Sequence, residues 1–183
     1  MTNNTLFAAS LLSLLLSSAL PAQAGQPKSA EPPTLTIRLY NYAQAPASLL
    51  ADASKIGGQI FSRAGIDSVW VACAKSPDQP SHPSCDESPG KSVVFVNILN
   101  REMSAKLGTD PDAFGLAFTS DIEFGQFATA FYHRVAELED GCHCGADLLL
   151  GHILAHEVGH LLLGFGGHAQ RGIMKARWKK TEL

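Results

Sequence analysis

Apolar positions change their spacing several times along the chain, and each change marks a predicted element. In 34–43, "TLTIRLYNYA", Leu35, Ile37 and Leu39 alternate with polar neighbours, which predicts a strand. In 46–65, "PASLLADASKIGGQIFSRAG", Leu49, Leu50, Ala53, Ile56, Ile60 and Phe61 recur near helical spacing, and Gly65 supplies a stop. A second strand is predicted at 66–74, "IDSVWVACA". Strand, helix, strand in that order predicts a βαβ unit with parallel strands. The run 91–99, "KSVVFVNIL", is nearly continuous in apolar residues and reads as a strand covered on both faces.

"NREMSAKLG" reads as a short helical turn. Two more strands are expected at 113–118 and 126–138, joined by "TSDIEFG". The second, "QFATAFYHRVAEL", alternates Phe127, Thr129, Phe131, His133 and Val135 on one face. With Asp147 as its N-cap, a helix should run to Leu163 and stop at Gly164. A short terminal helix is expected around 175–180. The sum is an α+β fold: a mixed, mainly parallel sheet, a crossover helix, a long helix in the last third and a short C-terminal helix. Residues 34–183 form one domain in this reading.

The N-terminus has a different character. Residues 6–20 are apolar and punctuated by serine, too short and interrupted for a permanent membrane span. "PAQAGQ" follows, with Ala22 and Ala24 at the small-residue positions of a cleavage site, so 1–24 read as a signal peptide. Residues 25–33, "GQPKSAEPP", are a flexible, Pro-rich lead-in. They contain no cysteine to latch a metal, and no long inhibitory pro-segment is expected. The expected location is secreted or periplasmic, with no stable membrane insertion after cleavage.

Export changes how the cysteines read, because disulfides persist in oxidising compartments. Cys73 and Cys85 flank "AKSPDQPSHPS", and a disulfide there would staple the insertion and contribute about 3 kcal/mol. Cys142 and Cys144 are separated by one residue. They fit a strained or cross-paired disulfide, a reduced pair, or a metal site with His143, the disulfide being the simplest. The net charge of −3 over 183 residues gives no basic field for nucleic acid. A monomer is the simplest assembly.

The helix around 149–163 carries the chemistry. Its pattern is apolar, "LLGHILAHEVGHLLLG", yet it contains His152, His156, Glu157 and His160. Residues four apart lie one above the other on a helix, so His156 and His160 aim at one point. Glu157 lies about 100° around the helix and can reach a water held there. Two imidazoles and an adjacent carboxylate form the His-Glu-x-x-His arrangement of zinc hydrolases. The metal lowers the pKa of its water to about 7, and the carboxylate takes the proton. A catalytic zinc wants a third protein ligand and one open position. Downstream of His160 only His168 and Glu182 are available, and Glu182 is the penultimate residue. The glycines of "GFGG" allow a sharp reversal that would return His168 to the pair. His152 fits a buried, hydrogen-bonded role beside the ligands.

"HEVGHLLLGFGGH" followed by "GIM" resembles the metzincin metallopeptidases, whose pattern is His-Glu-x-x-His-x-x-Gly-x-x-His with a downstream methionine turn. The resemblance implies that His156, His160 and His168 hold Zn2+ and that Glu157 is the general base. It also makes Gly164 the helix-ending glycine and places Met174 beneath the site. Gly164 stands one residue late and His168 two residues late against the pattern. The segment is also similar to small exported bacterial proteins with metzincin-like signatures. Some metzincins place a tyrosine after the methionine, and none follows Met174. Trp178 is expected to anchor the terminal helix, and "FATAFYHRV", with Tyr132 and His133, to be the edge strand that pairs with substrate.

The expected function is therefore an exported zinc-dependent endopeptidase acting on peptide or protein in extended conformation. Two other readings stay open: a zinc amidase acting on non-protein amides, and a non-enzymatic exported module stabilised by its metal.

Overall fold

The computed structural model describes residues 34–74, 81–119, 125–142, 144–164 and 166–178. The expected signal peptide and lead-in, His143 and Glu182 lie outside them. Strand β1 (Leu35–Asn41), helix α1 (Ala47–Arg63) and strand β2 (Ser68–Cys73) come first. β1 and β2 pair in parallel, Ile37 opposite Trp70 and Leu39 opposite Ala72. β3 (Val93–Leu99) flanks β1 on its other side, again parallel. A short helix α2 (Arg101–Ala105) follows, capped by the Asn100 side chain on the Met103 N–H. β4 (Gly115–Phe118), β5 (Phe127–Phe131), α3 (Tyr132–Cys142) and α4 (Ala146–Leu163) complete the order. The fold is α+β, with one five-stranded sheet in the order β2-β1-β3-β5-β4; β4 alone is antiparallel.

Alternation decides which face of the sheet is buried. Leu35, Ile37 and Leu39 of β1 and Val94, Val96 and Ile98 of β3 join Leu50 and Ala53 of α1 and Leu150 and Leu154 of α4 in one core. Burying each such side chain contributes about 1.5–3 kcal/mol. α1 and α4 approach closely where Gly151 meets Ile56. A Cβ on Gly151 would stand 2.7 Å from Ile56 Cβ and 2.8 Å from Ala53 O. That contact sets the depth at which α4, and its histidines, sit against the sheet.

Four expectations are corrected here. The run 126–138 is not one strand: β5 ends at Phe131, and the chain enters α3 with no intervening loop. Val135 is fully buried, and Tyr132 and Leu138 pack on the core beside it. These are helical spacings, and a helix lets the polar residues between them turn outward. β5 is also no edge strand, since it lies between β3 and β4; the edge on that side is β4. Residues 175–178 are not helical: Lys175 makes an isolated bridge with Ala169. The N-cap of α4 is Gly145 rather than Asp147, which occupies the first turn. The Ala146 N–H is instead satisfied by Glu139 Oε1 of α3 at 3.2 Å.

Cys73 and Cys85 form a disulfide with their Cα atoms 5.8 Å apart, tying the end of β2 to a 3-10 turn, Pro83–Cys85. Cys144 is also disulfide-bonded, which removes it as a thiolate ligand. No described helix is long and apolar enough to cross a membrane.

Candidate metal centre

α4 presents His156 and His160 one turn apart, and the segment after it returns His168 to them. The helix ends at Gly164, whose φ of 76° lies in the left-handed region, and Gly166 follows with φ 80°. Both conformations suit glycine and reverse the chain within a few residues. His160 Nε2 lies 3.1 Å from His156 Nε2 and 3.1 Å from His168 Nε2. All three ligand atoms fall within 4.8 Å of one another.

These residues fit a metal ion. His156 Nδ1 donates to the Ile173 carbonyl at 2.7 Å, so its lone pair is on Nε2, facing the other rings. One proton on His160 Nε2 could serve only one of its two neighbours, whereas a shared cation satisfies all three. Nitrogens around a tetrahedral zinc at about 2.0–2.1 Å stand about 3.3–3.4 Å apart, close to the spacing seen. Burial, then the charges of His156 and His168, pushes His160 down to about 4. Burial also lowers His156. Both rings are therefore neutral near pH 7, the state that ligates metal.

Glu157 lines the same cleft and is 7 % exposed. It lies against the edge strand: a Cβ on Gly115 would stand 2.6 Å from Glu157 Cγ and Oε1. Among the described residues its carboxyl makes no hydrogen bond or ion pair. Burial alone pushes it up to about 8. The cleft, about 940 Å³, runs between β4 and α4 and is bounded by α3 and by 175–178.

Met174 is 8 % exposed and packs under α4, where a Cβ on Gly159 would overlap its Sδ. Its neighbour Ile173 supplies the carbonyl that orients His156, so the turn supports the site from below. The turn is closed by Ala169 N–H to Met174 O at 2.8 Å and Lys175 N–H to Gly172 O at 3.1 Å. His152 is not in the cluster: its Nδ1 donates to Leu148 O at 2.8 Å. His133 opens α3, with its Nδ1 buried and without a hydrogen-bond partner among the described residues.

Two cleft residues were not legible as such. Trp178, expected on a helix, instead packs edge-on against His156, centroids 5.4 Å apart at 86°, and lines the cleft. Arg134 reaches the cleft because α3 is a helix, and the strand reading hid it. Comparison of the sequence with protein-family models and with curated proteins returns no match. The functional reading therefore stands on the geometry of the centre.

Proposed function

We propose that the chain is an exported zinc-dependent endopeptidase of metzincin-like build. The observation that carries this is the convergence of His156, His160 and His168 beside the buried, unpartnered carboxyl of Glu157. Three converging imidazoles fit zinc, and three ligands leave one position open. Zinc, when bound, supplies Lewis-acid charge that acidifies water and polarises a carbonyl oxygen.

The chain's own groups do the rest. Glu157 accepts the proton of the attacking water on a carboxylate oxygen and later hands it to the departing amine. Its raised proton affinity suits holding that proton between the two events, while a nearby cation favours the ionised starting form. Ile173 O fixes the tautomer and tilt of His156, and Met174 fills the space beneath Gly159. Among the described residues β4 is the sheet edge beside Glu157, where extended peptide backbone can pair as an added strand. The glycine that ends α4, the returning His168 and the Met174 turn support the metzincin resemblance. The disulfide and the sequence of 1–24 support a secreted or periplasmic location.

The test is Glu157→Gln in zinc-loaded protein against a peptide panel and a muropeptide panel. The expected outcome is unchanged zinc content and fold, with peptide turnover reduced by about 10²–10⁴-fold. Equal turnover in the variant removes Glu157 from the mechanism. Turnover of muropeptides alone moves the reading to an amidase.

A further inference from the structure

Arg134 stands half-buried on the first turns of α3 and lines the cleft with Leu138, Ile153 and Trp178. Among the described residues its guanidinium makes no hydrogen bond and no ion pair. The acid one turn away on α3, Glu137, also lines the cleft and feels the Arg134 charge, but its ion pair is with Arg101. Asp110 and Asp112 also line the cleft, but both are exposed, and Asp110 Oδ1 accepts the N–H of Asp112 at 2.9 Å. Neither comes within ion-pair distance of Arg134 among the described residues.

A guanidinium carries five donors and no acceptor, and it does not lose its charge. Partial burial beside Leu138 and Ile153 removes some of its water. A carboxylate entering the cleft would restore those hydrogen bonds in the paired, bidentate geometry that arginine favours. Arg177 also lines the cleft.

We propose that the cleft selects a substrate carboxylate, an Asp or Glu side chain or the free C-terminus of a peptide, through Arg134. The proposal rests on the peptidase reading for what the carboxylate is attached to. Arg134 is a specificity residue in it and touches neither the histidines nor the reacting atoms.

Hydroxamate-headed dipeptide probes anchor at the zinc and separate recognition from turnover. The series carries Glu, Gln or Lys at each position, as C-terminal amide and as free acid, and its binding to zinc-loaded protein is measured by calorimetry. A Glu side chain at one position should bind about tenfold tighter than Gln, or the free acid tighter than its amide by a similar factor. The two arms identify which carboxylate is read. Arg134→Gln should abolish the preference, Arg134→Glu should turn it toward Lys, and Arg134→Lys should keep part of it, all with unchanged zinc content. Equal affinity for acidic and neutral probes, a preference that survives Arg134→Gln, or no probe binding at all overturns the proposal. An Arg134-dependent preference without cleavage of any peptide refutes the peptidase reading and leaves carboxylate recognition standing.

Discussion

Replacing His168 with alanine tests the metal centre at its most exposed member. The His168 side chain is exposed and reaches the cluster only through its ring, with His160 Nε2 at 3.1 Å. Truncating it removes little packing, so the metal-free variant should unfold at the same denaturant concentration as the metal-free parent, within about 0.5 kcal/mol. With zinc the two should part. If losing one of three protein ligands weakens zinc about a thousandfold, then at zinc levels about a thousand times the parent's Kd the variant forgoes about 4 kcal/mol of stabilisation. For a domain of this size that is a difference of about 8–16 °C in Tm. The assays are zinc content after dialysis, competition with a chelator of known affinity, and calorimetric melting with and without zinc. Wild-type zinc content and an undiminished zinc-induced rise in Tm would refute ligation by His168. Loss of stability in the metal-free variant would show instead that the ring has a packing role that its exposure conceals.

Gly159→Ala places a methyl on Met174 Sδ and should cost about 1–3 kcal/mol by overpacking. Because Ile173 moves with its neighbour, zinc affinity should fall too, read by the same chelator competition. Cys73→Ser with Cys85→Ser should lower stability by about 3 kcal/mol in urea titration while leaving zinc content unchanged, since the bond lies at the end of β2 away from the cleft. His133 supplies a pH test. Burial, then Arg101 and Arg134, lowers its pKa in the folded protein, with Glu137 opposing. The unfolded chain therefore binds more protons just below the ordinary value of 6.5, and His133 penalises folding increasingly as pH falls through that range. In metal-free protein, stability should drop less between pH 7.5 and 5.5 for His133→Asn than for the parent, the contributions of His156 and His160 being common to both. An unchanged slope in urea midpoints would remove His133 as a contributor.

Much of the fold was legible because it depends on short-range periodicity. The alternation of Leu35, Ile37 and Leu39, and the helical spacing from Leu49 to Phe61, are answered by β1 and α1 within two residues. The disulfide was legible from two cysteines flanking a Pro-rich insertion. The error at 126–138 has a specific cause. Phe127, Thr129, Phe131, His133 and Val135 satisfy a period of two, while Tyr132, Val135 and Leu138 satisfy a helical one. Both patterns include Val135, and local spacing does not choose between them. The choice fell to packing: a continued strand would have run past the end of β3, whose last paired residue, Leu99, lies opposite Phe131.

By itself, then, the sequence determined that His156 and His160 share a helical stripe with Glu157 beside it, because 3.6 residues per turn leave no other arrangement. Tertiary structure alone decided that β4 rather than β5 is the sheet edge beside the site, that Glu139 caps α4, and that Arg134 and Trp178 face the cleft. It also gave His168 its distance from the pair, since glycines permit many reversals and this one is held by the packing of Met174 under Gly159, the Ala169–Met174 hydrogen bond and the Ile173 carbonyl on His156. The division follows from range: a helix fixes neighbours four residues apart through its own hydrogen bonds, whereas the walls of a cleft are set by which elements find room against a shared core.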